Sequence, residues 1–443
     1  MQKKIYTTKD ILVLGLMLFA LFLGAGNMIF PPLLGQAAGE NALIAVFGFL
    51  ITGVGLPLLG VMAIAYTGGD LQTLANRVNP LFGIFFTIIM YLAIGPFFGI
   101  PRTGTVAYEI GATPFLPSSI NQGMALFVFT VVYFAITFYL SMNPTKLVDR
   151  IGKLLTPILL AVIGILVVKS IVSPMGSVGT PIEEYAESPF FKGFLEGYLT
   201  MDTIAALVFG IVVISAIKDK GVSDKKIITS LCLKAGFIAA FGLTLVYGGL
   251  SYLGATSIEA IGTVKNGGQI LSGSSTYLFG SIGTVILATA ITFACLTTSV
   301  GLVSAASSFF HKIIPSVSYK VFVGIFCGFS LLVSNVGLTQ LIAFSLPVLI
   351  MIYPLAIVLI LLSFYRWKNE SLVYSFSLIF TGLISFVDGL AIAGIDIVFL
   401  QKAYSILPLY SEGVGWIIPA IIGALLGMIV GSLLTKTANE NLA

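Results

Sequence analysis

Apolar runs of about 20 to 30 residues, each closed by a short polar stretch, recur from one end of the chain to the other. A hydrocarbon core about 30 Å thick takes about 20 apolar residues to cross as a helix. On that rule twelve segments read as spans: 10–35, 41–66, 81–110, 122–141, 153–173, 191–217, 229–254, 277–309, 319–334, 338–364, 370–390 and 413–435, the eighth long and the ninth short. The runs are continuous rather than alternating, which excludes a barrel. The pattern therefore predicts an all-α polytopic membrane protein with about 12 transmembrane helices.

Composition agrees. Hydrophobic residues make up 58% of 443 positions and charged residues 9%, against about 25% charged in a soluble domain. So few charges cannot cover a soluble exterior, and a nucleic-acid partner is not expected. The whole of 1–443 reads as one membrane domain with no Gly/Ser linker and no short repeat. "MQKKIYTTKD" runs into the first apolar stretch without a small-residue cleavage site, so no cleavable signal is expected. Cys232, Cys295 and Cys327 each fall in apolar segments and read as packing residues, and His311 in "FFHKIIP" reads as a solvated loop residue.

The net charge of +4 matters less than where the charges lie. Seventeen of the 22 basic residues, from Lys3 and Lys4 through Lys146, Lys218 and Lys220 to Lys436, fall at one set of segment ends; Arg102, Lys169, Lys192, Lys265 and Lys402 are the exceptions. Cytoplasmic loops attract Lys and Arg, so both termini are expected in the cytoplasm, as an even number of spans also requires.

The first span carries an interruption, "LFLGAGNMIFPP" at 21–32. Gly24, Ala25, Gly26 and Asn27 lie 14 to 17 residues beyond Asp10, roughly 21–26 Å up the helix and near midplane. A glycine-rich packing face accounts for Gly24 and Gly26 alone. Asn27 with Pro31 and Pro32 points instead to a break, with the prolines in the first turn of a resumed helix. An unwound helix in hydrocarbon exposes carbonyls and N–H groups that cost several kcal/mol each unless a ligand completes them.

Asp202, in "EGYLTMDTIAALVFG", stands 11 residues into the sixth span beside Gly197, Thr200 and Thr203. A carboxylate at that depth costs about 2.5–3.5 kcal/mol and should face the bundle interior or water. Span eight holds "ACLTTSVGLVSAASS", where Thr297, Thr298 and Ser299 fan over roughly 200° of helix and cannot all serve one face. Their oxygens are hard ligands suited to a small cation, although a lone Ser or Thr in a helix usually bonds its own backbone. In span three, "GPFFGIPRTGTVAYEIG" sets Arg102 and Glu109 two turns apart on one face, as a gate or as an outer-vestibule salt bridge, with Pro96 and Pro101 expected to kink the helix.

"FLGAGNMIFPP" followed by "GPFFGIPRTGTVAYE" resembles the bacterial branched-chain amino acid:cation symporter family (BrnQ type), over the whole chain. That family is more distantly similar to the sodium-coupled leucine transporter fold, a five-plus-five inverted repeat. The resemblance implies repeats at 10–173 and 191–364 with accessory spans over 370–435, and a bacterial cytoplasmic (inner) membrane location. It also implies that Gly24, Ala25, Gly26 and Asn27 form an unwound turn whose N–H groups take a substrate carboxylate. The carbonyls of Ala20, Leu23 and Ala294 would join the hydroxyls of Thr297 and Thr298 around Na+, and Asn27 is a candidate second cation ligand. The run here is "LTTS" where the leucine transporter has L-T-S-S, and Thr for Ser keeps the hydroxyl.

The substrate residues are thus Gly24, Ala25, Gly26, Asn27, Thr200, Asp202 and Ser299, and the role of Asp202 is left open between ammonium pairing and proton carriage. The expected function is import of leucine, isoleucine and valine by Na+ symport, with no cofactor other than the coupling ion and with the bilayer as the other partner. A proton-coupled or other-substrate transporter of the same fold is the alternative. An intramembrane aspartyl protease would need two facing aspartates, and Asp388 lies near the outer end of span eleven. An acyltransferase would want a buried histidine, and a channel would pass solute without saturation. No enzyme is expected.

Overall fold

The structure is a computed structural model that describes residues 7–117, 119–142, 147–182, 184–219 and 221–440, with the side chains of 147–156 and 435–440 left aside. Lys3, Lys4, Lys146 and Lys220 lie outside the described residues, so the charge-based orientation rests on the sequence.

The apolar runs form helices: α1 (Thr8–Phe22), α2 (Ala25–Ala38), α3 (Ala42–Leu50), α4 (Leu56–Thr67), the short α5 (Leu71–Ala75), α6 (Pro80–Leu92) and α7 (Gly99–Gly111). Then come α8 (Gln122–Ser141), α9 (Leu147–Val172), α10 (Glu184–Glu187), α11 (Pro189–Glu196), α12 (Asp202–Lys218) and α13 (Lys225–Ala255). The chain ends with α14 (Ile258–Ile261), α15 (Gly267–Ile313), α16 (Tyr319–Ser334), α17 (Leu338–Ser363), α18 (Glu370–Ile392), α19 (Val398–Tyr404) and α20 (Ile417–Glu440). Polar caps sit where these helices meet water. Thr7 and Asp10 close a capping box on α1, and Asp224 accepts from the N–H groups of Lys226 (2.8 Å) and Ile227 (3.1 Å) on α13.

Each of the twelve expected segments falls on helix. By length and apolarity, however, eight described helices can cross a bilayer, or nine if α11 and α12, bent by 43°, make one span. The count of twelve is not reached on that measure because α1 is only 15 residues long and Tyr319–Ser334 is short, while Pro157–Val172 is the part of the 26-residue α9 whose side chains are described. α15 joins two helical stretches at Gly280 (φ 64°, ψ −158°), a conformation glycine adopts without strain, and the stretch from there to Ile313 carries the expected eighth span. His311 lies in the last turn of α15, exposed, with Nδ1 2.8 Å from the Val317 carbonyl oxygen; it is not a loop residue. The three cysteines are buried and free.

Two broken helix pairs organise the centre. α1 and α2 pack on α13, while α11 and α12 pack on α3 and α4. Each broken pair thus leans on the helix that follows the other, the exchange an inverted repeat produces. Both crossings are backbone to backbone. A Cβ at Gly35 would lie 1.9 Å from the Ser251 carbonyl oxygen and one at Gly254 1.9 Å from that of Pro32. Across the other crossing a Cβ at Gly193 would lie 1.9 Å from the Ala45 oxygen and one at Gly48 2.0 Å from that of Phe190. Small residues let helices meet this closely where no hydrophobic force drives them together. Outward faces carry large exposed apolar side chains, among them Leu43, Phe241, Ile282 and Leu332, as a lipid-facing surface requires.

Candidate functional site

The first span breaks where the sequence places the break, but over a shorter stretch. α1 stops at Phe22; only Leu23 (ψ 76°) and Gly24 (φ −101°, ψ −171°) leave helical geometry. Ala25, Gly26 and Asn27 are already the first turn of α2, so the expected four-residue unwound turn is corrected to two residues. Pro31 and Pro32 sit at the seventh and eighth positions of α2, beyond its first turn. There the missing N–H groups free carbonyls one turn earlier, and the oxygen of Pro31 accepts from Ser251 Oγ at 3.0 Å.

Gly24 N–H bonds the Phe22 carbonyl (2.7 Å) and Asn27 Oδ1 (3.2 Å), and so does not close the turn onto Ala20. The oxygens of Ala20 and Leu21 and the N–H groups of Ala25 and Gly26 are the orphan ends of the two half-helices, unpaired among the described residues. Donors of α2 and acceptors of α1 thus face one small volume.

The sixth span breaks at the same level. Its first half ends in a tight turn, Gly197–Thr200; Met201 is left-handed (φ 62°), and Asp202 is the first residue of α12. Most acceptors here are already claimed. Thr52 Oγ1, on the π turn Ile51–Gly55 between α3 and α4, donates to the Phe194 oxygen at 2.7 Å, and Thr200 Oγ1 donates to that of Gly197 at 2.8 Å. The Thr52 carbonyl in turn accepts from Thr203 Oγ1 at 3.2 Å.

Asn27 and Asp202 meet across the two breaks. Asn27 Nδ2 donates to Asp202 Oδ2 (2.5 Å) and to the Tyr247 hydroxyl, which itself donates to Asp202 Oδ2 at 3.0 Å. All three side chains are buried. With its Oδ1 accepting from Gly24 N–H and its amide donating to Asp202 and Tyr247, Asn27 links the two breaks.

Arg102 is the larger correction. It does not stand in an outer vestibule opposite Glu109. The residue is 2% exposed, and its guanidinium lies beside the first turn of α2, where a Cβ at Gly26 would be 3.3 Å from Nη1. Nη1 donates to the Leu199 carbonyl, Nη2 to Ser345 Oγ at 3.3 Å, and the group sits 5.1 Å above the Phe30 ring centre. Nε is buried without a hydrogen-bond partner among the described residues. Glu109 instead accepts from Asn266 Nδ2 (3.1 Å) and Gln269 Nε2 (2.7 Å) near the start of α15. Arg102 and Glu109 share α7; the kink in this span falls earlier, at Gly95 (ψ −123°) before Pro96, and Pro101 lies inside α7 without interrupting it.

Span eight sorts its hydroxyls as the fan of directions requires. Thr297 and Thr298 both donate to the Ala294 carbonyl, at 2.9 and 3.0 Å. The Thr298 methyl would lie 3.7 Å from a Cβ at Gly24, so this group borders the first break. Ser299, one residue on, is buried and accepts from Thr137 Oγ1 of α8 at 3.4 Å. Hydroxyls that donate to Ala294 leave oxygen lone pairs free.

Sequence reasoning missed Tyr247, Ser345 and the Phe30 ring. A tyrosine inside an apolar run, "LTLVYGG", was the available signal, since a buried hydroxyl needs a partner.

A family model described as branched-chain amino acid transport protein matches residues 7–434. The chain is 55% identical to a branched-chain amino acid permease, BraB, of Bacillus subtilis, over 98% of each chain. It is 48% identical to the branched-chain amino acid transport system 2 carrier protein of Pseudomonas aeruginosa, over 96% of this chain and 97% of the other. Among solved structures the inward-facing conformation of Mhp1 is similar at a TM-score of 0.61 and 15% identity, covering 96% of this chain and 91% of that one. A manganese transporter of Eremococcus coleocola is similar at 0.57 and 12%, over 98% and 96%. These structural likenesses show the fold.

Proposed function

The chain belongs to the branched-chain amino acid transport protein family, and on that premise we propose that it imports leucine, isoleucine and valine together with Na+ by alternating access. The observation that carries this reading is the meeting of two broken spans at one level, with orphan donors of α2 facing orphan acceptors of α1. A continuous helix has no such groups to offer. The N–H groups of Ala25 and Gly26 suit a carboxylate at a helix N-terminus. The Asp202 carboxylate at the start of α12 suits the ammonium.

The coupling ion binds between spans one and eight, on the carbonyls of Ala20, Leu23 and Ala294 and the hydroxyls of Thr297 and Thr298; the proximity of Thr298 to Gly24 supports this. Binding there ties α15 to the end of α1 and favours the state that receives substrate. The spans over 10–173 and 191–364 form the two inverted repeats, with 370–435 accessory, in a bacterial cytoplasmic membrane with both termini inside; the reciprocal packing of the broken pairs supports that division.

Uptake of radiolabelled leucine into proteoliposomes tests the reading. An inward Na+ gradient should drive accumulation above equilibrium. A proton gradient that replaces Na+ fully would favour the proton-coupled alternative, which the buried Asp202 carboxylate supports. Uptake that neither saturates nor follows a gradient would refute symport.

A further inference from the structure

We propose that Arg102 and Asp202 are the two charged contacts of an α-amino acid head: Arg102, with the first turn of α2, takes the carboxylate, and Asp202 takes the ammonium. The proposal rests on the transport reading above and adds its recognition chemistry.

Both charges are buried, Arg102 at 2% and Asp202 at 3% exposure. Charged side chains at midplane cost about 2.5–3.5 kcal/mol each on insertion scales, and the cheapest relief is a direct ion pair. None forms: among the described ion pairs neither residue takes part. Arg102 is held by a carbonyl, a hydroxyl and a ring face, all neutral, and its Nε has no acceptor. Asp202 is held by an amide and a phenol, both also neutral. Each charge is fixed in place by neutral groups, near enough to feel the other but with no direct ion pair between them.

The two charges flank neighbouring residues of α2. A Cβ at Gly26 would lie 3.3 Å from Arg102 Nη1, and Asn27 Nδ2 donates to Asp202 Oδ2. An α-amino acid carries its carboxylate and ammonium on one carbon, so a head bound at this turn meets both. A carboxylate above Gly26 meets N–H groups of α2 from one side and the guanidinium from the other, the arrangement that gives short charge-assisted bonds. Glycine at 26 is what keeps the space between them clear, because a Cβ would lie 3.3 Å from Nη1. The two bonds to Asp202 both fall on Oδ2, so Oδ1 is the oxygen left for the ammonium.

The test is competition for radiolabelled L-leucine on the purified full chain. The competitors are L-leucine, L-leucinamide (no carboxylate) and 4-methylpentanoate (no ammonium). Wild type should prefer leucine to either analogue by about 100-fold or more, since buried polar groups reject a ligand that leaves them unpaired. In Arg102→Gln the leucine-to-leucinamide ratio should fall at least about tenfold while the leucine-to-4-methylpentanoate ratio persists; Asp202→Asn should show the converse. Arg102→Lys keeps the buried charge but not the fork, and should lower leucine affinity by about tenfold. Unchanged ratios in a folded variant overturn the assignment while leaving transport intact. So does leucinamide competing as well as leucine on wild type, which needs no variant. Wild type that binds no leucine at all overturns the transport reading and this proposal with it.

Discussion

Gly26→Ala separates a glycine kept for a ligand from one kept for packing. The added Cβ would lie 3.2 Å from Phe30 Cε2 and 3.3 Å from Arg102 Nη1, a few tenths of an ångström inside the normal contact distance of about 3.5–4.0 Å. Both neighbours are side-chain ends that can yield. Overpacking of this kind costs about 1–3 kcal/mol, and Ala in place of Gly in a helix returns up to about 1 kcal/mol. The net change in stability should therefore stay within about 2 kcal/mol, and the protein should fold. Binding is affected differently, because the methyl occupies the space between the α2 N–H groups and the guanidinium. Losing one hydrogen bond to a charged group is worth about 1.5–3 kcal/mol, which is roughly a 10- to 150-fold rise in the leucine Kd. Equilibrium binding of radiolabelled leucine, beside thermal melting of the purified protein, measures both quantities. A Kd within about twofold of wild type at an unchanged melting temperature would show that nothing binds over Gly26.

Gly35→Ala is the packing counterpart: its Cβ would lie 1.9 Å from the Ser251 carbonyl oxygen, backbone that cannot rotate away, so folded yield by fluorescence-detected size exclusion should collapse. Thr298→Ala should raise the Na+ concentration for half-maximal uptake far more than it alters expression, and an unchanged Na+ dependence would refute the span-eight cation site. Asp202→Asn should severely impair leucine uptake at every pH; normal uptake with wild-type pH dependence would make Asp202 structural. Tyr247→Phe removes the 3.0 Å bond to Asp202, and should cost about 0.6–1.7 kcal/mol of stability, the range of single polar contacts between membrane helices, read as a lower melting temperature.

The broken first span is legible in the sequence because Gly24, Gly26 and Asn27 are poor choices for a helix interior, and only a special backbone explains them together. The sixth-span break is legible only through its carboxylate. Its turning residue is Met201 at φ 62°, a conformation that side chains other than Gly and Asn rarely take, so no residue-type rule marks it. Arg102 misleads because rise per residue locates a Cα and not a guanidinium. The Gly95 kink and the long arginine stem together carry the charge inward. Thr297, Thr298 and Ser299 show the opposite case: helical periodicity alone says the three cannot share a face, and Ser299 turns to α8 accordingly. The twelve-span count joins half-helices: the apolar run 10–35 reads as one crossing, whereas α1 taken alone, at 15 residues, is too short to cross.

The arrangement of charges at the centre argues for a ligand of mixed charge more strongly than either residue does alone. A single buried Asp fits a proton carrier, and a single buried Arg over an aromatic ring fits a structural brace. Stability alone would favour bringing the two together, since a direct pair relieves both desolvation penalties and needs no broken helix. Instead Leu199, Ser345 and Phe30 anchor one charge while Asn27 and Tyr247 anchor the other, on two sides of Gly26–Asn27. Holding opposite charges apart in a low-dielectric interior is unfavourable until something bridges them. An amino acid zwitterion does so without adding net charge. Held between two groups of fixed, opposite polarity, such a head would leave only its side chain to distinguish one amino acid from another.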